Sequence, residues 1–199
     1  MVFIVKRIID IVVSILLLLI FAPLLLIILI LIKYDSPGPV FYLGVRTGKN
    51  NKPFKIFKYR TMHPNAENLG GTTTSHNDVR VTKIGKILRK YKLDEIPQFI
   101  NVLKGEMSIV GPRPEVDEYT SLYSDEEKEI LSFRPGITDL ASIEYFKLGE
   151  IIGERNADQI YRDEIRPSKN ALRLKYVREH SLWLDFIIIC KTILKFTSK

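Results

Sequence analysis

Apolar positions crowd into the first sixth of the chain. From Ile11 to Ile32 only Ser14 and Pro23 fall outside the strongly apolar set. A straight helix of that length covers about 33 Å, enough for the hydrocarbon core of a bilayer. The run is longer than the apolar stretch of a signal peptide, and Lys33-Tyr34-Asp35-Ser36-Pro37 after it holds no small-x-small cleavage site. Pro23 near its middle removes a backbone hydrogen bond and kinks the helix. Basic residues flank both ends, Lys6 and Arg7 before, then Lys33, Arg46, Lys49, Lys52, Lys55 and Lys58 after. Since positive flanks favour the cytoplasmic side, both ends ask for the same face. A plain span fits the length; a shallow re-entrant helix bent at Ala22-Pro23 fits the length, the proline and both flanks.

Beyond Asp35-Ser36-Pro37-Gly38-Pro39, a turn sequence, the periodicity changes. Val40–Leu43 and Pro53–Tyr59 are rich in aromatic and β-branched residues and predict two short extended segments, joined by residues 44–51 into a ribbon. Asn65–Asp78 is polar, lacks apolar periodicity and predicts a loop. Over Thr82–Lys92, Ile84, Ile87, Leu88 and Tyr91 recur at helical spacing. Lys83, Lys86, Arg89, Lys90 and Lys92 fill the rest of that helix, a solvated face or one suited to anionic lipid. A second helix is predicted from Asp94, with Ile96, Phe99, Ile100 and Leu103 as its stripe, Pro97 in its first turn and Gly105 as its stop. Ser124-Asp125-Glu126-Glu127 is a capping box for a short helix to about Ser132. Residues 154–180 are charged and helical by composition, interrupted at Arg166-Pro167. Leu182–Leu194 is too short to span and predicts an interfacial helix with Trp183 near the headgroups; a buried core helix is the alternative. No internal repeat is visible.

At 199 residues the chain suits one domain with a real core. Its net charge of +7 calls for anionic partners, and nucleic acid, anionic lipid and phosphorylated substrates all qualify. The single cysteine, Cys190, excludes an intrachain disulfide and any cysteine-rich zinc site. His63, His76 and His180 are widely spaced, in no metal-ligand pattern, and are expected to be surface or structural residues.

The densest chemistry lies between Arg89 and Pro114, RKYKLDEIPQFINVLKGEMSIVGPRP. Asp94-Glu95 stands there between a basic helix and the turn Gly111-Pro112-Arg113-Pro114. Cations around a carboxylate pair suit a site that attacks or holds phosphate. Two readings of the pair stay open on these residues alone. Asp94 as N-cap with Glu95 as a first-turn charge is the plainer one. In the other, a helix N-terminus binds phosphate and holds Asp94 as the anion, available as a nucleophile. Arg134, in Arg134-Pro135-Gly136-Ile137-Thr138, is a phosphate ligand or a surface charge; its context favours the ligand.

The Arg89–Pro114 run resembles the core of the bacterial sugar transferases, the small monotopic polyprenyl-phosphate phosphoglycosyl transferases. Arg46-x-Gly48 followed by Phe54-Lys55-Ile56-Phe57-Lys58-Tyr59-Arg60-Thr61-Met62 is similar to the family's opening motif, and Arg134–Thr138 to a later one. The resemblance implies a re-entrant hairpin, broken in the family at Ser-Pro and here at Ala22-Pro23. It implies that Asp94 attacks a nucleoside diphosphate sugar, most often a uridine one, releasing the nucleoside monophosphate and leaving an aspartyl-phosphosugar. The phosphate of a polyprenyl (undecaprenyl) phosphate then takes the sugar phosphate, the first membrane step of glycoconjugate assembly. Glu95 would hold Mg²⁺. Arg89 and Arg113 would bind phosphate oxygens, with Arg134 and Arg46 as further candidates.

The expected architecture is α+β and mainly helical: a membrane helix-break-helix over 1–35, then a cytosolic, membrane-associated catalytic domain over 36–199 with a short β ribbon and amphipathic interfacial helices. With nothing ahead of the hairpin, the chain looks like the catalytic-core form, monotopic on the cytoplasmic face of a bacterial inner membrane. Membrane lipids are expected partners and nucleic acid is not; the oligomeric state is open. Two departures stand out. Many members follow Arg-Pro-Gly-Ile-Thr with Gly-Trp-Ala-Gln, where this chain has Asp139-Leu140-Ala141-Ser142, and many carry Asp where it has Arg173. If that region contacts the sugar, the donor differs. A hydrolase passing the same intermediate to water, and a non-enzymatic basic membrane adaptor, are the competing readings.

Overall fold

The computed structural model describes residues 2–66, 78–152 and 157–197. Most of the expected loop over Asn65–Asp78, His76 within it, and the start of the charged tract at 154 lie outside them. In chain order come α1 (Val2–Asp35), β1 (Phe41–Thr47), β2 (Pro53–Tyr59), α2 (Lys83–Lys90), α3 (Gln98–Lys104), β3 (Ser108–Val110), α4 (Asp117–Thr120), β4 (Gly136–Thr138), α5 (Leu140–Glu144), α6 (Leu148–Ile152), α7 (Ala157–Ile160), α8 (Arg166–Glu179) and α9 (Leu182–Thr197).

α1 continues across Ala22-Pro23 as one helix, so the proline bears on its curvature and not on its continuity. It is long and apolar enough to cross a membrane, with a mean hydropathy of 3.6 over its most apolar stretch. Its two ends lie on the same folded body. Near the start, Lys6 pairs with Asp185 of α9 at 2.6 Å. Arg7 donates to the carbonyls of Val102 and Leu103 at the end of α3, and Asp10 accepts from Ser108 and the Ile109 amide of β3. Near the finish, Ile28 and Ile32 are buried against Tyr59 and Leu88, Tyr59 donates to the Leu25 carbonyl, and Asp35 accepts from the Ile84 amide of α2. Between these anchors Leu19 and Ile20 are each 68% exposed.

The predicted ribbon is present: β1 and β2 pair antiparallel, Phe41 opposite Tyr59 and Thr47 opposite Pro53. β1 takes in four residues expected in the linker, so the connection shrinks to a 3₁₀ turn at Lys49–Asn51. β3 and β4 form a second, parallel pair. Three-residue strands far apart in sequence carry no alternation, and no pattern in the chain predicts them.

α2 opens on Thr82, whose side chain accepts from the Gly85 amide at 2.9 Å. The Ser124–Glu127 box closes as expected, each side chain accepting from the other residue's amide, but the helix it opens is 3₁₀, Glu127–Ser132. Pro167 does not interrupt a helix: it sits in the first turn of α8, after a π-helical turn at Tyr161–Ile165. α9 buries Asp185 and Ile188 and leaves Trp183 68% and Phe186 54% exposed, a helix with one face on the body and one outward.

Candidate active site

Asp94 and Glu95 do not open an α-helix. They form a 3₁₀ turn, Leu93–Glu95, set off from α2 by Lys92 in the left-handed region (φ 55°), and α3 proper begins only at Gln98. Lys92 is a bulky residue in a conformation that costs backbone energy, of the kind found where a site must hold side chains in one place. The helix predicted from Asp94 is corrected to this turn plus a shorter α3. Gly105 stops α3 as expected, at φ 82°.

The two carboxylates have opposite surroundings. Glu95 accepts through Oε1 from Lys58 Nζ at 2.9 Å and from Arg113 Nη2. Burial alone would raise its pKa; Arg113 and then Lys58 reverse the sign and hold it well below the usual carboxylate range. Asp94 is 7% exposed and its Oδ1 is sealed without a hydrogen-bond partner. Burial, then the neighbouring Glu95 charge, push its pKa up, against Lys58, Arg89 and Lys92. The α-helix N-terminus expected at Asp94 is absent, a 3₁₀ turn standing in its place, and burial with the adjacent carboxylate raises the Asp94 pKa against the cations. The pair is split, one carboxylate firmly ionised and the other more basic, the pattern by which adjacent acids take different roles.

The sequence-derived cations divide. Arg113 meets Glu95 and also donates through Nη1 to the Ile137 carbonyl at 2.9 Å, and its own amide donates to Asp139 at 2.8 Å. Arg89 donates to Thr61 Oγ1 at 2.8 Å; burial lowers its pKa, and the Asp94 charge is the largest influence opposing that. Arg134 is brought elsewhere: its Nε donates to the Gly105 carbonyl, at the far end of α3. Gly105 closes α3 at the end opposite the Leu93–Glu95 turn. Arg46 lies toward the turn end of the ribbon, opposite Phe54, and bonds the Val45 carbonyl; Lys58 pairs four residues along the ladder with Tyr42.

Lys58 is the residue that sequence reasoning missed, having counted it only as a flanking charge. Its signal was available: it lies in phase with Phe54 and Ile56, the buried face of β2, and a lysine on a buried face needs a partner. Gln98 was missed too. It is fully buried at the start of α3 with both amide atoms unpartnered, whereas Asn101, one turn on, bonds the Phe57 amide, the Lys55 carbonyl and Glu106.

Among the described residues no group of three or more His, Cys, Asp or Glu could hold a metal by itself. The oxygens at the pair still suit a hard cation. Both cations on Glu95 engage Oε1, which leaves Oε2 for another partner, and Mg²⁺ is commonly held by one or two carboxylates together with substrate phosphates.

An acidic pair of split basicity ringed by Lys58, Arg89 and Arg113 has the charge complementarity that a phosphate ester calls for. The bacterial sugar transferase family model matches residues 1–199. The chain belongs to that family. Three curated relatives show its range. One is the UDP-N-acetylgalactosamine-undecaprenyl-phosphate N-acetylgalactosaminephosphotransferase of Aeromonas hydrophila, 39% identical over 95% of this chain and 43% of its own. Two are UDP-glucose:undecaprenyl-phosphate glucose-1-phosphate transferases: that of Caulobacter vibrioides, 38% identical over 94% and 68%, and that of Escherichia coli K12, 39% identical over 96% and 39%. This sugar transferase chain thus spans less than half the length of the Aeromonas and Escherichia proteins.

Proposed function

We propose that this sugar transferase moves a sugar phosphate from a UDP-sugar to undecaprenyl phosphate through a covalent intermediate on Asp94. The observation that carries the reading is the split pair: a more basic Asp94 beside a Glu95 already committed to Lys58 and Arg113. The relatives support it, since their names state undecaprenyl-phosphate sugar-phosphate transfer.

In the first half-reaction an Asp94 carboxylate oxygen forms a bond to the β-phosphorus, and the bond from that phosphorus to the bridging oxygen breaks. UMP leaves with the electron pair. In the second, a phosphate oxygen of the lipid bonds the same phosphorus and the Asp94 oxygen departs, restoring the carboxylate. With Asp94 ionised, neither step needs a base to remove a proton. Each gathers negative charge at phosphorus, and Lys58, Arg89 and Arg113 are preset to meet it. Glu95 would hold Mg²⁺ through Oε2, and the ion would supply charge neutralisation at the diphosphate. Splitting transfer in two lets one site serve a soluble donor and a lipid acceptor in turn.

The membrane reading follows from α1. Its two ends rest on one folded body, and a span would place them on opposite sides of the bilayer. Support for a shallow re-entrant path comes from those anchors, from Pro23 and from the basic residues at both ends. The exposed Leu19–Ile20 stretch would sit deepest, with the body on the cytoplasmic face and the outer side of α9 in the headgroup layer. Cysteines placed at residues 2 and 35 should both be labelled from the cytoplasm; labelling from opposite sides overturns the topology.

The activity is tested by screening UDP-sugars for UMP release with Mg²⁺, with and without undecaprenyl phosphate. Sustained release that depends on the lipid and yields lipid-linked sugar is expected. Release equally fast without lipid, with no lipid-linked product, would make the protein a hydrolase. No release with any donor would leave only the adaptor reading.

A further inference from the structure

Asp139 and Arg173, one residue from each of the two departures, are bonded to each other. Arg173, in the middle of α8, has a fully buried side chain, and its Nε donates to Asp139 Oδ2 at 3.3 Å. Its Nη2 donates to Glu115 Oε1 at 2.7 Å and its Nη1 to Asn170 Oδ1 at 3.1 Å. Asp139 is fully buried as well. Neither side chain is open to solvent.

What they reach is the Arg113 turn, from both sides. Asp139 Oδ2, the oxygen bonded to Arg173, also accepts the Arg113 amide at 2.8 Å, while its Oδ1 caps α5 through the Ser142 amide at 2.6 Å. Glu115 lies two residues beyond Arg113, and its carbonyl accepts the Thr47 amide of β1 at 2.9 Å. The Arg173 guanidinium therefore ties the carboxylate that accepts the Arg113 amide to the side chain of Glu115, two residues further along the same turn. Buried ionic networks contribute little net stability relative to apolar packing, and in some proteins what they supply is a single geometry. Only a forked, planar cation can hold both carboxylates and Asn170 at once, which a lysine cannot do.

We infer that Arg173 is a positioning residue for the reaction, acting through Asp139 and Glu115 to aim Arg113 at Glu95. The inference rests on the proposed role of Arg113 at the donor phosphates.

A double-mutant cycle in the full chain tests it, with kcat/KM for the preferred UDP-sugar as the readout. Arg113→Lys is expected to lower kcat/KM about 100-fold. Arg173→Lys in the wild-type background should lower it about 10-fold, with a melting temperature close to wild type. In the Arg113→Lys background the same change should cost less than about 2-fold, because the residue it positions is already lost. Equal losses in the two backgrounds, or no loss in wild type, overturn the proposal. If Arg173→Lys does not fold, Asp139→Asn run through the same cycle carries the same expectations and the same refutations. Asp94→Asn separates the two levels: normal UMP release there sinks the reading of the active site, whereas an inactive Asp94→Asn with an additive cycle sinks the positioning role alone.

Discussion

Arg113 and Arg134 both precede a proline, and the segments that carry them cross where Gly111 meets Gly136. A methyl group at Gly136 would collide with the Gly111 backbone, so the crossing requires glycine. From this shared point the side chains go to opposite ends of α3. Arg134 joins Arg7 at the C-terminal end, where the two hold the carbonyls of Val102, Leu103 and Gly105, the partners that a helix C-terminus offers to cations. Arg113 reaches the other end and takes a carboxylate that Lys58 also holds. One end is a structural cap that fastens α1 to the body; the other is a charged site with capacity to spare. The arginine in each motif is alike, and its role follows from the acceptors that the fold puts within reach.

The sharpest break of that comparison is truncation at each end. Arg113→Ala should lower kcat/KM by about two to three orders of magnitude, and Arg134→Ala by less than about 3-fold. Equal losses would show that both ends of α3 handle phosphate. Next in size, Lys58→Met should lower kcat/KM about 100-fold, because it strips one of the two cations from Glu95; a variant as active as wild type would remove Lys58 from the site. On the capping end, Arg7→Ala should lower the melting temperature by about 4 °C without changing KM for the donor, having cost roughly 1 to 2 kcal/mol of backbone bonds. A raised KM with an unchanged melting temperature would contradict the division.

The smallest effect is a dependence of stability on pH, away from both ends. Burial, then the nearby Arg173, lower the Lys169 pKa from 10.5 to about 8. Below pH 8 the lysine is protonated both folded and unfolded, and the burial penalty is fully present. Between about pH 8 and 10.5 the unfolded chain binds the extra proton, so this group's contribution to stability rises with pH. Relative to Lys169→Met, wild type should gain melting temperature across that window; a constant difference would refute the shift.

The legible parts of this molecule were those with local causes. The ribbon showed in its aromatic and β-branched residues, the end of α3 in Gly105, and the 124–127 cap in its reciprocal spacing. Asp94, Glu95, Arg89 and Arg113 were named because they lie close in one run. Lys58 was overlooked because its partner is 37 residues away, and only its phase with Phe54 and Ile56 betrayed it. Arg134 was misleading for the opposite reason: its motif is local, but its acceptor, the Gly105 carbonyl, is set by how α3 packs. The parallel β3–β4 pair and the Arg173 bridge depend on contacts between distant segments, which no periodicity encodes. The upward shift at Asp94 could not be read from its cationic neighbours, because its first cause is burial, a property of the whole fold.

The central claim is that Asp94 carries the sugar phosphate while Glu95 does not. Wild-type protein mixed with a turned-over UDP-sugar and Mg²⁺, without lipid acceptor, should release about one UMP per active site. Intact-protein mass should rise by one sugar phosphate, located by fragmentation on Asp94 and discharged on adding undecaprenyl phosphate. UMP release only when the lipid is present, with no mass added at Asp94, would mean direct transfer between the substrates and would contradict the account.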